Sequence, residues 1–215
     1  MARRLTRAFF DRPPEALAPD LLNKLLLSTR DGVKLLARIV EVEAYCGSAD
    51  PARHAFRGKT ARNATMFGPP GHLYVYFTYG MHYCANVVAG SPLDDAGAVL
   101  LRAAAPIEGL ELMRTRRTAA RKDRDLLGGP ARLASAFGLG RDDDGLDLVR
   151  GPVGLYDDGT PPPGRPGRSP RIGLAAGKGD RARLRWFVTS DLNVSGPRSP
   201  TRSPSPTTLK RDLGT

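Results

Sequence analysis

The chain has 215 residues, 40% of them apolar, which is enough to bury the core of one domain. Its formal net charge is +11, with 33 Lys and Arg against 22 Asp and Glu, and such an excess favours an anionic partner, nucleic acid first. A codon bias toward Arg, Ala and Gly would produce the same excess, so charge alone does not decide whether the partner is nucleic acid.

No run approaches the roughly 20 apolar residues of a membrane span, and no signal-peptide pattern follows the first arginines. We therefore expect a cytoplasmic protein.

The cysteines and histidines argue against a metal centre. Cys46 and Cys84 are expected to be reduced thiols. Together with His54, His72 and His82 they form none of the CxxC, HxxxH or HExxH spacings of metal sites. The sequence therefore predicts no bound metal.

The N-terminal half predicts a helical entry followed by strands. Leucines at helical spacing after a pair of prolines predict a helical segment over residues 9–30. The pattern changes to strands from Val33 to Tyr45. Aromatic and β-branched residues from Leu73 to Tyr79 and from Tyr83 to Val88 flank Gly80 and predict a hairpin.

The C-terminal half alternates between strand and helix patterns. Ala98 to Ala104 predicts a strand, and Pro106 is expected to start a helix that runs to Arg117. A further helix is predicted from Leu126 to Phe137, and a late strand over residues 183–188.

Two segments have the composition of irregular chain. Residues 157–170 carry clustered Asp, Gly and Pro, which predicts a surface loop. From Gly196 the chain is rich in Pro, Ser and Thr, and we expect a disordered tail. The predicted organisation is an α+β domain over residues 1–195, built on a mixed or antiparallel sheet, and a tail over residues 196–215.

The segment from Arg38 to Tyr45 contains the first candidate for chemistry. Side chains two residues apart share a strand face, so Glu41, Glu43 and Tyr45 should point one way. Val40, Val42 and Ala44 should then point the other way. Two carboxylates about 7 Å apart repel, which raises a pKa and suits a general base. An ordinary amphipathic strand with two solvated glutamates is the competing interpretation, and this segment alone favours it.

Aromatic residues before Gly80 form the second candidate. Tyr74 and Tyr76 share a face and would line either a core or a pocket for a base, core being the commoner case. Tyr79 stands at the predicted hairpin tip, where an exposed ring suits insertion between bases.

Two basic clusters could follow a phosphate backbone, or simply be solvated faces. The first contains Arg53, Arg57, Lys59 and Arg62, and the second contains Arg114, Arg116, Arg117, Arg121, Lys122 and Arg124.

Taken together, these segments resemble the 3-methyladenine (alkyladenine, methylpurine) DNA glycosylase family. The resemblance runs from about Phe9 to Val188. It is carried, in order, by Ala37 to Tyr45, His54, Ala61 to Asn63, Met66-Phe67, Gly71 to Tyr76, Tyr79 to Met81, Asn86, Val99 to Ala103, Glu108 to Leu110, Asp123 to Leu126 and Gly129-Pro130.

The resemblance implies catalytic roles for three residues. Glu43 would be the carboxylate that activates a water molecule, Arg102 its partner in holding that water, and the Val188 carbonyl a third contact. Glu41 matches a family glutamate whose role we take to be structural.

It also implies the residues that meet DNA. The flipped base would stack between Tyr45 on one side and His54 and Tyr76 on the other, above Asn86 at the pocket floor. Tyr79 would fill the gap left in the duplex. The expected DNA contacts are completed by Met66, His82 and Arg62.

The implied molecule is a single compact α+β domain with a curved, mostly antiparallel sheet and surrounding helices. It would be a monofunctional glycosylase that needs no metal or organic cofactor, acting as a monomer on double-stranded DNA containing damaged purines, and so nucleoid-associated. A non-catalytic nucleic-acid-binding module and a hydrolase of free nucleosides remain as alternatives.

Overall fold

The fold was determined from a computed structural model that describes residues 1–46, 50–52, 58–78, 80–90 and 97–196. Its helices are short: α1 (Arg7–Phe10), α2 (Pro14–Leu21), α3 (Leu110–Arg116), α4 (Arg124–Leu127) and α5 (Pro130–Phe137). Its strands are β1 (Arg3–Arg4), β2 (Leu25–Ser28), β3 (Leu35–Tyr45), β4 (Leu73–Thr78), β5 (His82–Ala89), β6 (Gly97–Glu108), β7 (Val153–Asp157), β8 (Gly167–Ser169) and β9 (Arg185–Phe187).

All nine strands belong to one curved antiparallel sheet, with the order β1-β7-β2-β3-β6-β5-β4. The long strand β3 lies at its centre. Its first residues pair with β2, and Glu41 to Glu43 pair with β9, which in turn pairs with β8. Along its other edge β3 pairs with β6. The expected fold class is confirmed.

The two faces of the sheet differ. Val75, Val87 and Val99 belong to the main core, into which all five helices insert apolar residues. Tyr74 and Ala98 point to the opposite face and pack there with Met66. The helices therefore cover one face, and the other face is left to build a cavity.

An irregularity in the β3–β6 ladder changes the predicted alternation. The register skips Val40 on β3 and Arg102 on β6, on either side of the pair Glu41 and Ala103. Val42 packs in the main core, whereas Val40 packs in a separate cluster with Phe187. The prediction that Val40 and Val42 share a face is therefore wrong, because a bulge shifts the strand by one residue.

Several predicted elements have different bounds. Residues 25–28 form a strand rather than the end of a helix, and Asn23 precedes them with φ 66°. Pro106 does not start a helix: β6 continues to Glu108, and α3 begins after Gly109 with φ 82°. The helix predicted from Leu126 to Phe137 is two helices separated by Gly128-Gly129.

The predicted hairpin is confirmed as β4 and β5, and the late strand as β9. The loop predicted over residues 157–170 includes the short strand β8, and β7 precedes it. Within the described part of the chain, no helix is long and apolar enough to cross a membrane. The tail predicted from Gly196 lies, after that residue, outside the described residues.

Candidate active site

Glu43 lies on the central strand with neighbours on both sides. Its register partners are Leu100 on β6 and Arg185 on β9. Its side chain is fully buried, as is that of Glu41. The interpretation of this segment as a strand with two solvated glutamates is therefore wrong.

Every oxygen of the Glu43 carboxylate has a partner. Oε1 accepts the backbone N–H of Ile172 at 2.8 Å and lies 3.2 Å from Nη1 of Arg102, and Oε2 accepts the hydroxyl of Tyr45 at 3.0 Å. Burial raises the pKa of Glu43 above its ordinary value, while these three partners lower it, and the charge of Glu41 raises it further. The balance gives a carboxylate that is more basic than a solvated one.

Arg102 links the two glutamates. Its Nε donates to Oε1 of Glu41 at 3.0 Å, while Nη1 faces Glu43. Because Arg102 stands at the ladder irregularity, its side chain can reach both carboxylates; bulges re-aim side chains in this way.

Glu41 is held by a network behind Arg102. Its Oε1 also accepts Nε of Arg185 at 2.6 Å, and its Oε2 accepts the backbone N–H of Ser195 at 2.6 Å. Arg185 in turn donates to the Ser169 hydroxyl at 2.9 Å. Two buried glutamates thus face two buried arginines, which balances their charges.

A second buried ion pair supports Tyr45. The Arg171 guanidinium lies 4.7 Å from the centre of the Tyr45 ring. It donates two hydrogen bonds to Asp50, at 2.5 and 2.8 Å, and one to the Ala44 carbonyl at 2.9 Å. The segment of Arg171 and Ile172 therefore contacts both the ring of Tyr45 and the carboxylate of Glu43.

A cavity of about 330 Å³ opens beside these residues. Its walls are mainly aromatic and apolar, with a few polar groups, as in pockets for small organic ligands. It is lined by Tyr45, Ala52, Met66, Tyr74, Tyr76, Thr78, Cys84, Asn86, Ala98, Leu100, Arg102, Pro130, Ile172, Gly173 and Leu174. Its volume lies near the lower end of the usual range, about 300–1,000 Å³, which suits a single base.

Two tyrosines and an asparagine form one wall. The rings of Tyr74 and Tyr76 stack with centroids 5.6 Å apart. Asn86 pairs with Tyr74 across the hairpin and donates from Nδ2 to the Tyr74 carbonyl at 3.1 Å. The amide is therefore fixed in orientation where it borders the cavity.

The family model for methylpurine-DNA glycosylase matches residues 8–192. A Burkholderia lata protein named as a 3-methyladenine DNA glycosylase is 53% identical over 195 residues, covering 90% of this chain and 91% of its own. Proteins of the same name from Streptomyces avermitilis and Chlorobaculum parvum are 50% and 45% identical, each covering more than nine-tenths of both chains.

The chain belongs to the methylpurine-DNA glycosylase family. It is therefore a DNA glycosylase, a hydrolase of the N-glycosyl bond that acts in base excision repair.

Most of the residues singled out in this glycosylase meet at the cavity. Arg102, Tyr45, Tyr76, Asn86 and Met66 line it. Glu43 lies directly behind Arg102, Tyr45 and Ile172. Met66 was expected to contact DNA near the hairpin, but it is buried against Tyr74, so it belongs to the cavity wall.

The hairpin end presents the remaining described candidates. His82 is exposed and pairs with Thr78, and Arg62 donates to the Phe77 carbonyl at 2.6 Å. Met81 next to them is 69% exposed. His54 and Tyr79 lie outside the described residues.

Val188 does not lie beside Glu43. Its N–H donates to the Val40 carbonyl, and its own carbonyl accepts the N–H of Asp191 at 3.1 Å. Three residues of strand, about 10 Å, separate Val40 from Glu43. The expectation of a water contact from Val188 is therefore not supported, and Ile172 occupies the place beside Glu43.

The supporting residues were missed by the sequence analysis. Arg171, Asp50, Arg185 and Ser195 stand in segments without a recognisable motif. The one available signal was the frequency of arginine, which does not distinguish a buried ion pair from a solvated surface.

Proposed function

We propose that this glycosylase flips damaged purines out of duplex DNA and hydrolyses their bond to the sugar with a water activated by Glu43. The observation that carries the proposal is the buried Glu43–Arg102 pair, 3.2 Å apart, beside an aromatic cavity that suits one base. A base inside a duplex cannot reach such a cavity, so it must be extruded first.

The cavity would select its base by stacking. The base lies between Tyr45 on one side and Tyr76, with His54, on the other. Alkylated purines that carry a positive charge are attracted to aromatic rings by cation–π interaction, and the relatives are named for 3-methyladenine. A neutral lesion such as hypoxanthine would depend on fit and on hydrogen bonding with Asn86.

For a positively charged lesion, the chemistry needs only one carboxylate. As the C1′–N bond breaks, its electron pair leaves with the base, and the sugar becomes oxocarbenium-like. Glu43 stabilises that cation and takes a proton from the water whose oxygen bonds to C1′. A cationic base leaves neutral and needs no protonation, so a second acid is not required.

Contact with the duplex would be made by the hairpin end. Tyr79 fills the space left by the flipped base, and His82 and Arg62 make further contacts with the DNA. Aromatic insertion of this kind stabilises unstacked DNA. The net charge of +11 supports attraction to the phosphate backbone.

The proposed function is tested by measuring the release of free base from DNA. Duplexes with a single hypoxanthine or 7-methylguanine are incubated with the intact chain, and free base and strand integrity are measured by chromatography. We expect free purine, an abasic site and an uncut strand. In H₂¹⁸O the label should enter the sugar. Binding without release would indicate a non-catalytic module, and equal release from free nucleosides would indicate a nucleoside hydrolase.

A further inference from the structure

Ser195 contacts three buried charged residues of the site at once. Its N–H donates to Oε2 of Glu41 at 2.6 Å, its carbonyl accepts Nη2 of Arg185 at 2.6 Å, and its hydroxyl accepts Nη2 of Arg102 at 3.2 Å. The preceding residue, Val194, is buried against Val40 and fixes this segment to the sheet. The family match ends at residue 192, so this contact lies beyond it.

The Ser195 hydroxyl completes the set of hydrogen-bond partners around the Arg102 guanidinium. The guanidinium is planar and rigid, with its donors in a fixed fork. Its Nε is held by Glu41 and its Nη2 by Ser195, which directs Nη1 at Glu43. With Nη2 released, the Nε bond to Glu41 would be the one remaining anchor besides Glu43 itself, and Nη1 would be held less firmly against Glu43.

We propose that Ser195 is a positioning residue, which holds Arg102 against Glu43 through its side-chain hydroxyl. Its link to excision rests on the proposed function, whereas its link to the Glu43 carboxylate does not. The last described segment of the chain thereby orients the catalytic centre, although Ser195 lies beyond the residues that the family model matches.

Displacement of Arg102 has a predictable effect on the carboxylate. The groups nearest Glu43 are Arg102 from β6, Glu41 and Tyr45 from β3, and the N–H of Ile172. Arg171, and Tyr76 and Cys84 from the hairpin, also interact with its charge. Arg102 is the strongest of those that lower its pKa. If Arg102 moves away, the pKa of Glu43 rises, and less of it is ionised near neutral pH.

The test is a titration of Glu43 in the intact chain. Carboxyl carbons of ¹³C-labelled glutamate are followed by NMR against pH, and the Glu43 signal is assigned by its loss in Glu43→Gln. We expect Ser195→Ala to raise the pKa by about 0.5 to 1 unit, a part of the 1–3 units that a neighbouring opposite charge contributes.

Ser169→Ala is the matched control. The Ser169 hydroxyl also accepts a hydrogen bond from a buried arginine, Arg185, but it is not among the hydrogen-bond partners of Arg102, which are Glu41 and Ser195. Ser169→Ala should lower the stability of the protein but leave the pKa of Glu43 unchanged. No shift in Ser195→Ala, or an equal shift in both variants, would overturn the proposal.

Excision is measured separately on the hypoxanthine duplex. In single turnover, Ser195→Ala should move the acid limb of the pH profile upward by the same amount, with about a 3- to 10-fold loss on that limb. If the wild type releases no base, the proposed function fails, and the titration still decides the role of Ser195.

Discussion

The hydroxyl of Tyr45 donates a hydrogen bond of 3.0 Å to Oε2 of Glu43. One residue thus offers a ring to the cavity and a proton donor to the carboxylate. The bond stabilises the ionised form, and it is one of the groups that lower the pKa of Glu43 against the effect of burial.

Tyr45→Phe should therefore separate the two roles of this residue. The ring remains for stacking, but the lost donor raises the pKa of Glu43. Because the reaction needs the carboxylate, excision falls as pH falls through that pKa, and its acid limb should move to higher pH. The pH profile of single-turnover excision checks this, with binding of lesion duplex unchanged. An unshifted profile would mean that the hydrogen bond does not persist in the complex.

Asp50→Asn should destabilise the protein, because it breaks the Arg171–Asp50 ion pair that supports Tyr45. Both members of the Arg171–Asp50 pair are buried, and loss of one partner leaves an uncompensated charge, at about 3–5 kcal/mol in the free energy of unfolding. Thermal and urea unfolding measure it.

Asp158→Asn is the matched control, since it breaks a partly exposed arginine pair with Arg38 at 2.7 Å. Exposed pairs contribute about 0–1 kcal/mol. Similar losses in the two variants would show that burial of the Arg171 pair has no special importance.

The sequence predicted that Glu43 and Tyr45 lie side by side, but it did not predict the residues that hold them in place. Glu43 and Tyr45 lie two residues apart on one strand, so local alternation together with the family resemblance was sufficient. Arg171 and Ser195 approach residues that are more than 100 positions away, which no local pattern encodes.

The elements whose bounds were predicted wrongly also depend on contacts between distant parts of the chain. Leu25 and Leu26 continue a helical spacing, yet strand pairing with both β3 and β7 determines their conformation. Pro106 is typical of a helix start, but it lies in β6 at a register shift opposite Ala37, where a ladder tolerates a missing N–H. In each case tertiary pairing outweighs local preference.

We expect that the end of the chain can be shortened without loss only as far as residue 196. A chain ending at Gly196 should keep its melting temperature and its excision on short duplexes. A chain ending at Asn193 should lose both, because it lacks buried Val194 and all three contacts of Ser195. A drop in melting temperature for the chain that ends at Gly196 would show that the tail is docked in the full-length protein. Loss of DNA affinity alone would assign Arg198, Arg202, Lys210 and Arg211 to phosphate.

Tyr79→Ala should impair excision more in a duplex than in a substrate whose lesion is already unstacked. Stacking of an aromatic ring on a base contributes about 1–3 kcal/mol. Met81→Ala is the control, because Met81 is an exposed apolar residue close by. Single-turnover rates on the two substrates give the comparison. Equal losses on both would mean that Tyr79 only packs the hairpin.

Glu43→Gln should fold as well as the wild type. The amide oxygen can accept from Ile172 and Arg102, and the amide nitrogen can donate to the Tyr45 oxygen. The pKa of Glu43 is raised in the folded state, so its ionisation costs stability as pH rises from the ordinary value through the raised one. Glutamine avoids this cost but leaves Arg102 with Glu41 as its remaining carboxylate partner, so the melting temperature of the variant at neutral pH should stay close to that of the wild type.

Single-turnover excision by Glu43→Gln tests the central claim most directly. The amide cannot accept the proton of the water, and loss of a general base typically costs about 10²–10⁴-fold. Asp143→Asn is the control, a buried carboxylate that pairs with Arg30 away from the cavity. We predict at least a 100-fold loss for Glu43→Gln, on the order of that general-base effect, with lesion-duplex affinity held or increased and little loss for the control. Excision by Glu43→Gln at the wild-type rate would place the catalytic carboxylate elsewhere and contradict the account.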